Sequence, residues 1–449
     1  MKTFCLLIVS IFICTTLAEA QGWEELGSGT NTLAANGAIR GVVTDAQNNV
    51  YAGGYFTNAD GFYYVAKWNG TSWAELGSGS NRLNANGPIR CMIKDDQDNI
   101  YVAGAFRDAN GGHYVAKWNG TSWSALGIGP KALSADNVIV CMAIDQAGAV
   151  YASGQFKMSN VYLPYSYSVV KWDGTSWTTL PIESGTDFSN IGNILTMAAS
   201  DDGYLYVGGS GGHVGVWDGT RWGFINAPLN GERLFYSMQM DHDNNLYIGG
   251  NIQDYSGKTC LARWDGTGWS RPGTGANSMN ANSYVWSIVL DEQDNIYAGG
   301  FFTDVNNTYY VAKWDGITWT ELGGNAGNAL NANDNIFSVA VDPSGNVYTG
   351  GMFTNEAGKM YVAKWTKPAV ATSTRAADNI IEVSMYPNPS TGTFTIRTDD
   401  AIESVTLINT IGQKEVFASG LNITTSFTGM VLVEVQTASG RAIKKIVIQ

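Results

Sequence analysis

Apolar and polar residues alternate in short runs along most of the chain, and turn-forming residues separate these runs. A representative stretch reads IRCMIK (89–94), the turn DDQDN, IYVAGAF (100–106), a loop, YVAKW (114–118) and TSWSALG (121–127). Alternation with a period of two, bounded by Gly, Asn and Asp, predicts β-strands. The Asn-Gly pair between the last two runs predicts a tight hairpin, because both residues tolerate positive φ. We find no sustained apolar period of 3.6 residues and expect no long helices.

Two landmarks show that this pattern repeats. The first is Trp-(Asn/Asp)-Gly-x-x-Trp, whose first Trp recurs after 50, 54, 45, 47 and 50 residues. It occurs at Trp68/Trp73, Trp118/Trp123, Trp172/Trp177, Trp217/Trp222, Trp264/Trp269 and Trp314/Trp319. The second landmark is Tyr, any residue, a small residue and Gly. It begins at Tyr51, Tyr101, Tyr151, Tyr206, Tyr247, Tyr297 and Tyr348.

Each repeat predicts four strands, and repeats of this size are typical of β-propeller blades. At each end of the repeat region only one Trp of the landmark is present. Trp23 matches the second Trp and has no first Trp before it, and Trp365 matches the first Trp and has no second Trp after it. We therefore expect an all-β fold with a seven-bladed β-propeller over residues 21–367. The strand around Trp23 would close the last blade by pairing beside the strand of Trp365.

Composition and charge restrict the compartment and the partners. The net charge of −13 and the pI of about 4.7 repel phosphate backbones, so no nucleic-acid partner is expected. Residues 1–20 have Lys2, an apolar run and a final Ala18-Glu19-Ala20, which is typical of a signal peptide cleaved before Gln21. No later apolar run approaches twenty residues, so the protein is predicted to be exported and not membrane-spanning.

The order of residues in one repeat resembles a known propeller class. Tyr297-Ala298-Gly299-Gly300 precedes Trp314-Asp315-Gly316 and Trp319, which is similar to the kelch and galactose-oxidase repeat. The last turn is shorter than in kelch repeats, and Trp replaces the usual Tyr. The resemblance implies a propeller fold and leaves the function open, because such propellers serve many roles.

The repeat stops near Thr366. Residues 368–381 are rich in Ala and Thr and predict a linker, and residues 382–449 predict a small Ig-like β-sandwich. Three elements of this region resemble the type A sorting domain of the type IX secretion system: Tyr386-Pro387-Asn388-Pro389-Ser390-x-Gly392, Ile411-Gly412-Gln413 and Lys444-Lys445-Ile446-Val447-Ile448.

That resemblance implies a route and a partner. The protein would cross the inner membrane by the Sec pathway and the outer membrane with the type IX machinery. It would then be secreted or held on the outer cell surface. The resemblance also implies removal of the domain by cleavage between residues 366 and 382.

The residues that could carry catalysis are few. The three His (His113, His213 and His242) fall in different repeats, whereas a copper or zinc site needs two or three that converge. Cys91 and Cys141 share one repeat position, which elsewhere holds a small residue, so we assign them to packing. We therefore predict no catalytic residues and no cofactor, and the sequence leaves open whether the protein is an enzyme.

Three acidic turns, residues 95–99, 241–245 and 291–295, resemble calcium loops. They lack the spacing and the distal Glu of a true calcium loop. Their leading Asp recurs in other repeats, six residues before the landmark Tyr, where it can cap a turn. We predict no metal site.

Residues that break the repeat indicate a binding face. The long loops lie on one face of the predicted propeller, and residues 157–167 form the largest insertion, with Tyr162 and Tyr165. Where the first strand of each blade begins on this face, one position varies. It holds Arg40, Arg90, Val140, Leu195, Tyr236, Trp286 and Phe337. Two Arg and three aromatic residues near a channel mouth suit a glycan or peptide with an acidic group. Packing between blades is the alternative role.

The function predicted first is therefore a secreted or cell-surface binding or adhesion module with a glycan or protein ligand. The second hypothesis is a carbohydrate-active hydrolase or lyase, which as a hydrolase would need two carboxylates about 5–10 Å apart in one pocket. The third is a structural element of a larger surface assembly.

Overall fold

The computed structural model describes residues 22–154, 156, 168–181, 190–226, 230–253, 257–279, 281–324, 328–367, 379–380, 383–398, 400–409, 413–417, 421–437 and 440–448. It divides into two compact units between Lys367 and Pro368. Among the described residues there is no α-helix. One-turn 3-10 segments lie at Gly29–Asn31, Gly79–Asn81, Gly129–Lys131 and Gly275–Asn277.

The described part of the first unit consists of antiparallel four-stranded sheets, which we number in chain order. Sheet one has β2 (Ile39–Thr44), β3 (Val50–Thr57), β4 (Tyr63–Trp68) and β5 (Trp73–Glu75). Sheet two has β6 (Ile89–Lys94), β7 (Ile100–Gly104), β8 (Ala116–Trp118) and β9 (Trp123–Ala125). Sheet three has β10 (Ile139–Ile144), β11 (Val150–Gly154), β12 (Ser168–Trp172) and β13 (Trp177–Thr179). Sheet four has β14 (Ile194–Ala199), β15 (Leu205–Gly209), β16 (His213–Trp217) and β17 (Trp222–Asn226).

The remaining sheets of this unit follow the same order. Sheet five has β18 (Asn230–Met240), β19 (Leu246–Gln253), β20 (Ala262–Trp264) and β21 (Trp269–Ser270). Sheet six has β22 (Val285–Leu290), β23 (Ile296–Gly300), β24 (Ala312–Trp314) and β25 (Trp319–Glu321). Sheet seven combines β26 (Ile336–Val341), β27 (Val347–Gly351) and β28 (Ala363–Trp365) with β1 (Trp23–Glu25).

The first strands of the sheets form a ring. Each packs against the first strand of the next sheet, and β26 packs against β2. Buried side chains between neighbouring sheets form the core, as where Ile39 and Val42 of sheet one meet Ala340 and Tyr348 of sheet seven. The prediction of an all-β fold built from blade-like four-stranded sheets is confirmed, and the arrangement is that of a β-propeller.

The N-terminal strand completes sheet seven. Strand β1 pairs antiparallel with β28, and Trp23 lies opposite Trp365. The two incomplete Trp landmarks at the ends of the repeat region thus combine into one pair. This pairing is the one that Trp23 and Trp365 predicted from the sequence.

The Trp pairs join neighbouring sheets. Trp68 and Trp73 lie opposite each other in the hairpin, with ring centroids 5.8 Å apart. The indole Nε1 of Trp73 donates a hydrogen bond of 2.7 Å to the carbonyl oxygen of Leu26 in sheet seven. The second Trp of five further pairs donates in the same way to the preceding sheet: Trp123 to Leu76, Trp177 to Leu126, Trp269 to Asn226, Trp319 to Pro272 and Trp23 to Leu322. The repeated Trp residues therefore serve the fold.

The leading Asp of each acidic turn organises its own hairpin. In sheet one, Asp45 Oδ1 accepts hydrogen bonds from the backbone N–H groups of Gln47 and Asn49. Its Oδ2 accepts from the Asn49 side chain and from the Tyr51 hydroxyl, 2.9 Å away. Burial, followed by this hydrogen bond, raises the pKa of Tyr51. The Asp thus caps the turn, as predicted, and it also fixes the landmark Tyr.

The described part of the second unit has two sheets. The five-stranded sheet contains β29 (Asn379–Ile380), β32 (Ile402–Asn409), β33 (Lys414–Phe417), β35 (Gly429–Thr437) and β36 (Gly440–Ile448). The three-stranded sheet contains β30 (Ser384–Tyr386), β31 (Thr393–Arg397) and β34 (Asn422–Thr424). Buried residues of both sheets, among them Phe394, Ile423, Val433 and Ile446, share one core.

One boundary differs from the sequence interpretation. Residues 379–380 lie within the segment 368–381 that we interpreted as a linker. In the structure they pair parallel with β36, so a strand of the second unit precedes residue 382. The edge of β36 offers unpaired backbone groups, and the β-branched Ile380 suits a strand better than the Ala residues that precede it.

Candidate functional site

The variable position at the start of each first strand is a β-bulge. In sheet one, Ile39 lies opposite Gly54 and Gly41 lies opposite Gly53, so Arg40 has no partner in the ladder. The same register shift occurs in the six other first strands. The skipped residues are Arg40, Arg90, Val140, Leu195, Tyr236, Trp286 and Phe337. A bulge bends its strand and redirects the extra side chain, which sets these seven apart from the regular ladder.

The landmark Gly of each repeat makes room for the bulge. A Cβ placed on Gly54 would lie 2.2 Å from the carbonyl oxygen of Ala38, just before the bulged Arg40. At Gly300 the corresponding distance, to the carbonyl oxygen of Tyr284, is 2.1 Å. The Gly of the Tyr-x-small-Gly landmark is therefore required by the close backbone approach at the bulge. The bulge in turn positions the candidate-site residue.

All seven bulged side chains line one cavity of about 290 Å³. The cavity lies on the axis of the ring, because the first strand of every sheet contributes to its wall. Further lining residues include Cys91, Met92, Cys141, Met142, Thr196 and Met197, together with Ser287 and Ser338. The structure thus brings together five of the seven residues predicted as a binding site. The other two, Tyr162 and Tyr165, lie outside the described residues.

One wall of the cavity is a row of contacting aromatic rings, called the aromatic stack below, that ends in a cation. Tyr236 and Trp286 stack with centroids 4.4 Å apart and planes 18° from parallel. Phe337 follows at 5.6 Å from Trp286. The Arg40 guanidinium carbon lies 4.3 Å from the Phe337 centroid and 4.9 Å from the Trp286 centroid. At these distances the cation is attracted by the ring faces.

Three residues that support this stack were missed by the sequence interpretation. Phe301 packs edge-on against Trp286 at 5.2 Å, and Tyr284 lies 6.1 Å from Tyr236. Tyr55 lies 5.7 Å from the Arg40 guanidinium. Tyr55 and Phe301 each directly follow the landmark Gly of their repeat. A comparison of that position across the repeats would have found both.

The cavity is positively charged in an acidic protein. Arg40 and Arg90 are the charged residues among its described lining, which holds no Asp or Glu. The Arg40 Nε is buried and has no hydrogen-bond partner among the described residues. Burial, and to a lesser degree the nearby charge of Arg90, lowers the pKa of Arg40. An anion at this point would supply the missing partner and offset the cost of burying the charge.

The two cysteines that line the cavity are weak nucleophiles. Burial raises the pKa of Cys91 to about 12 and that of Cys141 well above its usual value. Their position demands small residues, since a Cβ on the equivalent Gly41 would lie 3.1 Å from Met92 Cβ. Where Ser occupies this position, its hydroxyl oxygen accepts an amide hydrogen bond from a neighbouring sheet, as Ser338 does from Val42 at 2.9 Å. These contacts support the packing role.

The histidines occupy separate surroundings. His113 is buried, its Nδ1 lies 3.3 Å from the carbonyl oxygen of Ala135, and burial lowers its pKa. His242 is exposed, and its Nδ1 lies 2.8 Å from a carboxylate oxygen of Asp294, a contact that raises its pKa. In the described parts of the chain, no group of three or more His, Cys, Asp or Glu is arranged to hold a metal ion. None of the helical segments described there has the length and apolar character of a membrane-spanning helix.

Comparisons with known families bear on both units. Residues 384–449 match the family model of the secretion system C-terminal sorting domain. The chain carries a type IX sorting tail. This tail implies interaction with the type IX machinery and secretion to the cell surface or beyond it. Residues 319–352 match a β-propeller repeat model, in agreement with the sheets of the first unit.

Solved structures show the same fold at low identity. The extracellular domain of the hybrid two-component system BT4673 from B. thetaiotaomicron has a TM-score of 0.51 and 11% identity, over 94% of this chain and 47% of that one. This chain thus spans about half the length of that structure. The WD40 β-propeller domain of Doa1 has a TM-score of 0.51 and 13% identity, over 77% of this chain and 98% of that domain. No curated protein matches the chain.

Proposed function

We propose that this protein is a secreted or cell-surface binding module, and that the axial cavity binds an acidic group of a glycan or protein ligand. The observation that carries the proposal is Arg40. Its guanidinium lies over Phe337 and Trp286, and its buried Nε has no partner among the described residues. A buried cationic donor of this kind gains most from an anionic acceptor, because charge-assisted hydrogen bonds are the strongest available.

The surrounding cavity supports binding in two ways. Arg90, exposed at the next bulge, adds a second positive charge to the same wall. The aromatic stack and the side chains of Val140 and Leu195 supply apolar surface, and ligand pockets usually combine such surface with a few oriented polar groups. Tyr236 and Trp286 are half-buried, so both remain partly accessible from the cavity.

The alternative of a carbohydrate-active hydrolase gains no support at this cavity. A hydrolase of the usual kind needs two carboxylates near the scissile bond. The described residues that line the cavity include none. The two Arg would instead favour bound acids, and they provide no group that could act as a general acid and base near pH 7.

We further propose finer features of the architecture. The seven four-stranded sheets would be the blades of one kelch-like propeller, residues 1–20 a signal peptide, and the second unit an Ig-like sandwich. The closing pair of β1 with β28 supports a complete ring. Mass spectrometry of the exported protein tests the processing. A mature N-terminus at Gln21 and a cut between residues 366 and 382 are expected, and an intact N-terminus would refute the signal peptide.

A glycan and peptide array probed with the purified full-length protein tests the binding proposal. We expect acidic ligands to be enriched, and their signal to fall as salt is raised, because the ion pair is screened. The Arg40→Gln and Arg90→Gln variants should lose these ligands. Arg221→Gln serves as the matched control, because Arg221 is an exposed arginine of a hairpin outside the cavity. Binding that survives both cavity substitutions, or no binding at all, would overturn the proposal.

A further inference from the structure

The wall of the cavity restricts which chemical group can carry the acidic group of the ligand. Following the ring of bulged residues, three sectors succeed one another. Sheets one and two contribute the cations Arg40 and Arg90, and sheets three and four contribute Val140 and Leu195. Sheets five to seven contribute the aromatic stack. An anionic head at the arginines would therefore have its body between an aliphatic and an aromatic surface.

Apolar side chains also line the rest of the cavity. Met92, Met142 and Met197 are among its lining residues. Met142 and Met197 also line a second cavity of about 300 Å³, whose lining includes Met238 and Met240 as well as Lys94 and Gln239. Methionine side chains are flexible and polarisable and adapt to apolar groups of different shape. A ligand that reached from the arginines into the second cavity would meet thioethers and aliphatic side chains, together with Lys94 and Gln239.

Some neutral polar groups of the cavity already form hydrogen bonds with the backbone of neighbouring sheets. The Ser338 hydroxyl oxygen accepts the backbone N–H of Val42, and the Ser287 hydroxyl oxygen accepts that of Val339 at 3.1 Å. A sugar ring has several hydroxyls, and each needs a partner when it is buried. The walls described above suit such a ring poorly. They suit a body that has few polar groups of its own.

We infer that the preferred ligand is a carboxylate carried on a compact apolar body, such as the last residue of a peptide with an apolar side chain or a free aromatic acid. This inference rests on the proposed function and narrows it. The carboxylate would pair with the guanidinium groups of Arg40 and Arg90, and the apolar body would lie against Tyr236 and Leu195. The cavity volume of about 290 Å³ is just below the ~300–1,000 Å³ typical of ligand sites, so it suits one compact group of this kind.

Isothermal titration calorimetry on the full-length protein tests the inference with defined probes. These are N-acetylphenylalanine, its uncharged amide, and glucuronate, which carries the same charge on a hydroxylated ring. We expect N-acetylphenylalanine to bind at least about tenfold more tightly than either of the others, because the amide lacks the charge-assisted bonds and glucuronate lacks the apolar body. The Arg40→Gln variant should bind it about 10- to 100-fold more weakly.

Two further variants keep the result interpretable. Arg90→Gln changes an exposed side chain and should fold normally, so it tests the charge if Arg40→Gln is unstable. Arg221→Gln should bind like the original protein.

A short glycine-serine peptide that ends in phenylalanine, with a free or an amidated carboxyl group, distinguishes a peptide chain end from a free small acid. Tighter binding of the free-carboxyl peptide than of N-acetylphenylalanine indicates a chain end, and weaker binding indicates a small acid.

The possible failures are distinguishable. If glucuronate binds in an Arg40-dependent manner and N-acetylphenylalanine does not, the inference is wrong while the proposed binding function stands. If no probe on the calorimeter or the array depends on Arg40 or Arg90, both are wrong. Equal affinity for N-acetylphenylalanine and its amide would also overturn the inference, because the arginines would then contribute nothing.

Discussion

Replacement of Gly300 by Ala tests the close backbone approach behind the bulge at Trp286. The new Cβ would lie 2.1 Å from the carbonyl oxygen of Tyr284, whereas ordinary contacts begin near 3.4 Å. The strands must therefore separate by more than 1 Å. That same carbonyl accepts the backbone N–H of Phe301 at 2.9 Å, so the separation also strains or breaks a hydrogen bond.

The expected cost has two parts. Overpacking in a close-packed interior costs about 1–3 kcal/mol, and loss of the hydrogen bond adds about 1 kcal/mol. We expect the Gly300→Ala variant to lose about 2–4 kcal/mol of unfolding free energy. Urea denaturation followed by Trp fluorescence measures this loss. All 15 Trp lie before residue 368, so the signal reports on the propeller unit alone.

Gly268→Ala is the matched control. A Cβ at Gly268 meets no atom within 4 Å, and its repeat equivalents carry side chains, Ser72 and Ser122 among them. Its unfolding free energy should therefore stay within about 0.5 kcal/mol of that of the original protein. If Gly300→Ala is as stable as this control, the bulge does not have the register described here, and the position of Trp286 in the cavity would have to be revised.

Three further predictions concern the packing between sheets, a surface ion pair and the two cysteines that line the cavity. Trp73→Phe leaves a smaller aromatic ring and loses the indole hydrogen bond to the preceding sheet, and should lower the unfolding free energy by at least about 1–2 kcal/mol in the same urea assay. His242 should titrate above 6.5 in an NMR pH series, because its hydrogen bond with Asp294 stabilises the charged ring. The stability that this contact adds is complete below pH 6.5 and is lost as the pH rises through the folded-state pKa. Cys91 and Cys141 should resist iodoacetamide at pH 8 in the folded protein and react in urea, as peptide mass spectrometry would show, because burial raises both pKa values.

Each of these predictions has its own control. Tyr204→Phe alters an exposed aromatic residue and should leave the urea midpoint unchanged, so an equal loss there would contradict the role of the indole bond. Asp294→Asn should return the His242 pKa to its ordinary range, and an unchanged pKa would contradict the assigned cause. Alkylation of the folded protein at the rate of a free thiol would contradict the raised pKa values of the two cysteines.

Much of the fold was predictable because the sequence repeats its contacts. Trp68 and Trp73 predicted the outer hairpin, and the incomplete landmarks at Trp23 and Trp365 predicted the closing strand. These residues make the same packing contacts in most sheets, so the sequence repeat alone identifies them. The edge strand at Asn379–Ile380 belongs to no repeat, and composition suggested a linker there.

The residues that form the candidate site were predictable from the sequence, but their geometry was not. Alignment of the repeats identified the variable position that holds Arg40 and Trp286. The bulge depends on how backbone groups pair across two strands, and no residue type at that position encodes it. The guanidinium of Arg40 lies over rings from two other sheets, so its environment exists only once the ring has closed. Tyr284 was missed because nothing in its own repeat distinguishes it.

The pairing of β1 with β28 has a consequence for the order of events during synthesis and export. Trp23 leaves the ribosome early, yet its strand partner is residue Trp365, more than 340 positions later. Until residues 336–365 have been synthesised, β1 has no strand to pair with. Sheets one and six then each lack sheet seven as a neighbour. Contacts of such large sequence separation form slowly. The ring therefore cannot become complete before the segment that directly precedes the sorting tail is available, which couples the last step of folding to the final part of the chain.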